Sequence, residues 1–384
     1  MFDVVIVGAG PIGLYLGVLL LQEGHSVRIL EQRNEPSLHS RAIGIHPPAL
    51  AALDQAQVAS AMLAEGVRIP AGIARSGGHQ VARLSFGEAS QRWPFVLTLK
   101  QARTEALLEA RVRELDPAAL ERGFCVDSLY DAGTFLTLTG HQGEAEELRS
   151  HRAKLVIGAD GAYSTVRRLL GISTSGRDYP DTYLMGDFPD TGTDGSAAVL
   201  HLEPAGIVES FPLPEGLRRW VLHTDSLLKD ATAADLAALV QKRTGVKLDP
   251  QANSMLSAFG VRFRLATSMV AGRAALVGDA AHEISPIGGQ GMNLGWLDAA
   301  ALAPIITAAL RGQNTGLLLQ KYERTRLAAA RSAGRQAWLN MALGRPLPPS
   351  ALHLRHAGLQ PLLRLPMFHK LVVRRFTMHG FSLN

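Results

Sequence analysis

The chain has 384 residues, 47% hydrophobic and 19% charged, which excludes a disordered or fibrous protein and leaves room for two domains or one domain with a large insertion. Its formal net charge is +5, but the cations are scattered and mostly arginine, with no aromatic-interleaved basic patch, so nucleic acid is not expected as a partner. A single cysteine, Cys125, excludes an internal disulfide and any cysteine-rich metal site, and no metal is expected.

The chain opens on Asp3 to Glu31, which reads as strand, glycine turn, helix and strand. Val4 to Val7 is a short apolar run rich in β-branched residues. Gly8, Gly10 and Gly13 then form G-x-G-x-x-G around Pro11, Ile12 to Gln22 forms a buried helix, and Val27 to Leu30 gives a second apolar strand. The first glycine permits the tight turn, the second lets backbone approach a pyrophosphate, and the third allows close packing of helix on strand. Free N–H groups at the helix start face phosphate charge. Glu31 ends the second strand, followed by Gln32 and Arg33, at the distance where a carboxylate accepts the hydroxyls of an adenosine ribose. Met1 runs almost at once into a strand, and the longest apolar run nearby, Leu14 to Leu21, is too short to span a bilayer; both lead to the expectation of a cytoplasmic protein.

After a loop marked by Pro36, Ser37 and Ser40, Arg41 is positioned to reach back to the pyrophosphate, and Pro47 and Pro48 open a helix near Ala49. Residues 67 to 95 alternate like strands leaving the nucleotide domain. Thr98 to Leu115 returns with helical spacing, and Gln101 near its start offers an amide to a cofactor phosphate or flavin edge. Gly123 to Arg152 alternates as an antiparallel meander. Leu155 to Ile157 is then a buried strand, followed by the tight loop Gly158 to Gly161 carrying Asp160, and a helix over Ser164 to Leu170.

Residues 177 to 258 change character, with short alternating runs and one helix, Ala233 to Thr244, capped by Thr232. His201 and His223 lie on the strands of this segment and are the only candidates for a catalytic base, though nothing local orients them. Ala274 to Val277 is a further strand. Gly278 and Asp279 end it, Pro286 to Gly291 is a glycine-rich loop, and Met292 to Leu310 is a helix. An acid at a strand end holds the ribityl or phosphate end of a long cofactor, and the amides of Gly289 to Asn293 offer positive potential to an anionic flavin ring.

Together, Gly8-x-Gly10-x-x-Gly13 with Glu31 and Arg41, then Gly158-Ala159-Asp160-Gly161, then Gly278-Asp279 with Pro286-x-x-Gly289-Gln290-Gly291-x-Asn293 resemble the three fingerprints of the single-component (group A) flavoprotein aromatic hydroxylases, the para-hydroxybenzoate hydroxylase fold. The likeness runs from the first strand to about Arg331. It implies an α/β protein with a Rossmann-like FAD-binding domain, an interleaved, mostly antiparallel substrate domain and a helical C-terminus. The corresponding division is 1–75, 98–176 and 259–345 for the FAD domain, 76–97 and 177–258 for the substrate domain, and 346–384 for the tail. It also implies that Glu31 binds ribose, Arg41 and Gln101 the pyrophosphate region, and Asp279 the ribityl chain, that Asp160 stabilises the loop near cofactor and reductant path, and that the loop Pro286 to Asn293, Met292 included, cradles the isoalloxazine.

The implied activity is NAD(P)H- and O2-dependent hydroxylation of an aromatic, polycyclic or quinone-like small molecule through a C4a-hydroperoxyflavin, by a monomer or homodimer. A reductase or oxidase of the same fold, or a Baeyer-Villiger or epoxidising monooxygenase, is the alternative. A flavin halogenase would need a W-x-W-x-I-P segment, whereas Trp93, Trp220, Trp296 and Trp338 are isolated. An NAD-dependent dehydrogenase would leave Asp160 and Asp279 idle. No flavin-facing arginine aligns between Glu203 and Pro214, and the chain ends before any thioredoxin-like domain. Its tail instead resembles the helical ends of ubiquinone-type hydroxylases: Leu362, Leu363, Leu365, Leu371 and Val372 interleave with Arg364, Lys370, Arg374 and Arg375, an amphipathic pattern suited either to packing over the body or to peripheral membrane contact.

Overall fold

A computed structural model of the chain describes residues 1–36, 42–87, 90–143, 147–352, 366–378 and 380. Two eight-stranded sheets dominate it. The first is ordered Val270–Ala271, Ala274–Leu276, Glu147–Gly158, Phe2–Val7, Val27–Glu31, Leu120–Arg122, with the meander strands Phe124–Asp131 and Leu136–Gln142 added through Glu147–Gly158. Its centre is parallel, since Phe2–Val7 pairs in parallel with both Glu147–Gly158 and Val27–Glu31. Val4, Val5 and Ile6 are fully buried, as a central parallel strand covered on both faces requires. Ribose-side and flavin-side motifs thus emerge at the carboxyl ends of adjacent strands, the crevice where open α/β sheets bind ligands.

Close packing here is built from glycine. A Cβ on Gly13 would meet the Gly8 carbonyl oxygen at 2.0 Å, and one on Gly295 would meet Ile12 Cδ1 at 2.8 Å, so the helices Pro11–Gln22 and Gln290–Leu310 lie against sheet and each other at backbone distance. The helix Gln290–Leu310 is by length and composition apolar enough to cross a membrane, but 67% of its apolar window is buried inside the protein. Its apolarity is therefore that of a core helix.

The second sheet is ordered His282–Glu283, Met255–Ala266, Thr174–Pro189, Leu217–Thr224, Val208–Leu213, Ala198–His201, Ala71–Ser76, His79–Ser85. All its pairings are antiparallel except Ala198–His201 with Ala71–Ser76. Strand alternation gives the sheet two different faces. Leu184, Trp220 and Leu222 pack against Leu236 and Val240 of the helix Ala233–Thr244, which Thr232 and Asp235 close with a reciprocal capping box. Met185, Glu209, Phe211, Arg219 and Val221 point the other way, toward the first sheet.

Several expected boundaries fall inside strands of this sheet. A break at 75/76 cuts Ala71–Ser76, one at 176/177 cuts Thr174–Pro189, and one at 258/259 cuts Met255–Ala266. The long strand Thr174–Pro189 begins, and its antiparallel partner Met255–Ala266 ends, at the side of the first sheet's core, and a change of composition does not mark where a continuous strand passes between layers. A three-stranded sheet, Gly44–Ile45, Val96–Thr98 and Val67–Ile69, sits between them. A 29-residue helix, Gly316–Gly344, follows the core helix, and a short helix, Pro366–Phe376, ends the described chain.

Candidate active site

One cavity of about 1300 Å³ runs from the first glycine loop to the inner face of the second sheet. At one end it is lined by Gly8, Gly10, Pro11 and Ile12 with Glu31, Gln32 and Arg33. Gly8 turns with φ +106°, and a Cβ there would meet the Ala159 carbonyl oxygen at 2.4 Å, so glycine is required. At Gly10 a Cβ would meet nothing within 4 Å, and the backbone there is open to the cavity. Gly13 is absent from the lining because its task is helix packing.

Glu31 is buried and already engaged. Its Oε2 accepts the Ala9 N–H at 2.8 Å, and its Oε1 accepts the Arg33 N–H at 3.0 Å and Nε at 2.8 Å. Burial pushes this carboxyl up, but the hydrogen bonds from Arg33 and Ala9 outweigh it and hold Glu31 below the ordinary glutamate range. The carboxylate is thereby kept ionised and fixed, with acceptor capacity still facing the cavity. Gln101 also lines this end and donates from Nε2 to Glu105 Oε1 at 2.8 Å. Arg41 lies outside the described residues.

Asp160 lines the middle of the cavity but spends its carboxylate on the fold. Its Oδ1 accepts the Ser164 hydroxyl at 2.5 Å and its Oδ2 the Val166 N–H at 3.0 Å, which holds the Gly158–Gly161 turn against the helix Thr165–Leu169. Gly161, with φ +78°, completes that turn and lines the cavity as well.

Asp279 is different. It projects from the strand end after Gly278 into the cavity, and among the described residues nothing donates to its carboxylate. Burial within the protein pushes its pKa up to about 6. Its surface is nevertheless exposed. The two facts agree if that surface faces the enclosed cavity and not bulk water.

Behind it lies a fully buried charge network. Asp298 Oδ2 meets His282 Nε2 at 2.5 Å, and Asp298 Oδ1 accepts Arg326 Nε at 2.6 Å. The Gly278 N–H, at 3.3 Å from Asp298 Oδ2, ties the Asp279 turn to the same group.

The loop Pro286, Gly288, Gly289, Gly291 and Met292 forms the adjoining wall. Gly288 and Gly289 have φ of +97° and +65°, and Gly289 caps the helix Gln290–Leu310, whose N-terminal amides face the cavity. Asn293 does not line it. It is fully buried, with Oδ1 accepting the His46 N–H at 2.8 Å and Nδ2 donating to Gly44 O at 2.8 Å and Gly289 O at 2.7 Å. Its side chain thus staples the loop to the segment beside it.

His201 and His223 do not line the cavity. His201 stacks on Trp220 and burial pushes its pKa down to about 4, while His223 lies 3.5 Å from Asp181 and is likewise lowered by burial. Strand alternation turns His201 away from the cavity face, whereas His223 shares the face of Arg219 and Val221 but stands farther along the strand, beside Asp181 and outside the lining. The residues that do project inward, Glu209 and Arg219, were not singled out by sequence; Glu209 stands in the stretch GIVESFPLP, where period-2 alternation alone identified a strand without showing which face was inside.

The C-terminal helix contributes Leu371, Val372, Arg375 and Phe376 to the same cavity. Phe376 stacks on Phe86 with centroids 5.4 Å apart, and Val373 is buried against Ile69, Phe86 and Val96. This helix packs over the body, while Leu362, Leu363, Arg364 and Leu365 lie outside the described residues.

The donor set fits FAD along its length: an amide-lined glycine turn, an ionised glutamate, an unpartnered aspartate and a helix N-terminus, in that order. A family model described as an FAD binding domain matches residues 1–337. The chain is 32% identical over 379 residues to 12-dehydrotetracycline 5-monooxygenase/anhydrotetracycline 6-monooxygenase of Streptomyces rimosus, covering 94% of this chain and 72% of the relative. It is 31% identical over 365 residues to 6-methylpretetramide 4-monooxygenase of Streptomyces rimosus, covering 91% of this chain and 64% of the relative. The chain thus spans 72% and 64% of the length of these two curated relatives. The crystal structure of p-nitrophenol 4-monooxygenase from Pseudomonas putida DLL-E4 matches with a TM-score of 0.89 at 26% identity, covering 98% of this chain and 97% of that one. With three fingerprints on one cavity and a family match over most of its length, the chain belongs to the FAD-binding-domain family of flavin-dependent aromatic monooxygenases.

Proposed function

We propose that the protein uses FAD, NAD(P)H and O2 to hydroxylate an aromatic or polycyclic small molecule. The observation that carries this reading is the continuity of the cavity, in which nucleotide-binding turn, Asp279, flavin-side loop and an apolar sheet face share one enclosed space. Bound FAD, reduced by NAD(P)H, supplies with O2 an electrophilic oxygen at its ring system.

The chain's own residues bind, orient and exclude water. The turn at Gly8 to Ile12 takes the pyrophosphate, Glu31 with Gln32 and Arg33 the adenosine ribose, and Gln101 the adjoining phosphate region. Asp279 accepts hydroxyls of the ribityl chain. The amides from Gly289 to Met292 favour negative charge on the adjacent ring. Asp160 acts through the turn that it holds. Ile73, Leu84, Phe86, Phe211 and Phe259 form a dry surface for an apolar ring.

The test is direct. The purified chain is yellow and releases FAD on denaturation. With a panel of phenols and fused-ring aromatics, NAD(P)H oxidation consumes oxygen in step with hydroxylated product. A colourless chain that takes up no FAD refutes the reading. A flavoprotein whose NAD(P)H oxidation never yields oxygenated product is a reductase or oxidase.

A further inference from the structure

On the strands Val208–Leu213 and Leu217–Thr224, two charged residues line the cavity, Glu209 and Arg219, and they differ in kind. Arg219 is paired within the sheet, its Nε and Nη2 donating to Asp187 at 2.7 and 2.8 Å. Glu209 lies on the neighbouring strand, opposite Val221 on one side and Leu200 on the other, and is 8% exposed. Both neighbours line the cavity, as does Phe211 two residues along. Among the described residues, nothing donates to the Glu209 carboxylate.

A buried carboxyl costs free energy unless it is hydrogen-bonded, so a fold seldom retains one without a partner. Glu209 does no work within the sheet: its strand is paired on both sides through the backbone, and the helix Ala233–Thr244 covers the opposite face. Its side chain lines the part of the cavity walled by the second sheet, among the rings and aliphatic chains suited to an aromatic guest. The missing partner is therefore on that guest.

We propose that Glu209 determines specificity by accepting a hydrogen bond from a hydroxyl on the substrate's aromatic ring, so that the enzyme takes phenolic rings in preference to rings without a donor. This rests on the monooxygenase reading above. A hydrogen bond to a carboxylate also draws electron density onto the ring oxygen and so into the ring, which an electrophilic oxygen requires. Burial pushes the Glu209 pKa up to about 7, which marks how strongly the site favours a donor or proton beside this group.

The test uses the FAD-containing protein and two probes of matched shape, 2-naphthol and 2-methylnaphthalene, with dissociation constants from equilibrium dialysis. The native protein binds 2-naphthol at least about tenfold more tightly, in keeping with a charge-assisted hydrogen bond. Glu209→Leu binds both probes alike. Glu209→Gln, which keeps an acceptor but loses the charge, shows a preference reduced about threefold or more and guards against a leucine variant that fails to fold. Equal binding by the native protein, no binding of either probe, or an unchanged preference in Glu209→Gln overturns the assignment. Flavin content is read on the same samples: absent FAD counts against the monooxygenase reading, whereas FAD present without hydroxyl preference counts against Glu209 alone.

Discussion

Asn293 Oδ1 accepts the backbone N–H of His46 at 2.8 Å, joining residues 247 positions apart in sequence. With its two donated bonds to Gly44 and Gly289, this one fully buried side chain fastens the start of the core helix to the segment before the helix Pro47–Gln55. Truncation strands a backbone donor and two carbonyls away from water. Asn293→Ala is expected to cost about 2–4 kcal/mol of stability, read as a lowered urea midpoint. It should also weaken FAD retention, because the Gly288–Gly289 turn loses its anchor.

Asp279, proposed to hold the ribityl chain, presents the opposite case, a carboxylate to which nothing donates among the described residues. Asp279→Ala is expected to weaken FAD binding at least about tenfold, measured by titrating the apoprotein with FAD, while circular dichroism stays unchanged. The apoprotein should be no less stable than native at pH 8. Burial holds the Asp279 pKa at about 6, so above that pH the folded apoprotein carries an ionised carboxylate that it disfavours. Unchanged FAD affinity in Asp279→Ala would show that this acid does not hold the cofactor.

Glu209 gives a pH dependence with a definite sign. Its folded-state pKa is raised to about 7 from the ordinary 4.5, so the unfolded chain releases this proton first as pH rises. The protonated form is compatible with the fold below about 4.5; the penalty for ionisation grows between there and about 7 and is full above it. Glu209 acts electrostatically on Tyr183, whose phenol burial also raises, and Arg219 on the adjacent strand is held by Asp187. Glu209→Gln is expected to raise stability at pH 8.5 by something on the order of 3 kcal/mol, and by close to nothing at pH 4. Denaturant midpoints at the two pH values decide it. A gain equal at both would attribute the effect to packing.

The cofactor half of this site is legible in the sequence because its constraints are backbone constraints. Gly8 turns at positive φ against Ala159, and Gly13 allows backbone contact at a distance that excludes a Cβ; such demands leave residue identity almost no freedom. Asp279 stands at a strand end for a similar reason. The substrate half is not legible in the same way. His201 and Glu209 both sit on short alternating strands, and which one faces inward depends on the register of Ala198–His201 against Val208–Leu213 and on the position of the helix beneath, neither of which is local. Asn293 shows a third situation. Its motif is visible, but its side chain's partners at Gly44 and His46 are distant in sequence, so the stapling role of that side chain is not legible there.

The buried His282–Asp298–Arg326 network supports the site from behind, and its charges make it sensitive to any loss at its centre. Burial disfavours ionisation of Asp298, yet His282 and Arg326 outweigh that and hold its pKa below the ordinary range. Burial likewise opposes charge on His282, but Asp298 raises its pKa above the usual histidine value. The network's contribution is thus present above the aspartate range and declines as pH rises through the raised pKa of His282, where the imidazole becomes neutral and only the Arg326 pair persists. Asp298→Ala leaves a guanidinium and an imidazole buried together without their anion, and is expected to cost about 3–5 kcal/mol. Asp298→Asn keeps hydrogen-bonding capacity toward Arg326 and Gly278 and should cost less. Its deficit relative to native should shrink between pH 5.5 and pH 9, since the native protein loses the ionic part of the His282 contact over that interval. Urea unfolding of the native protein and the asparagine variant at both pH values measures this. A deficit that is the same at pH 9 as at pH 5.5 would mean that His282 does not change its charge over that interval.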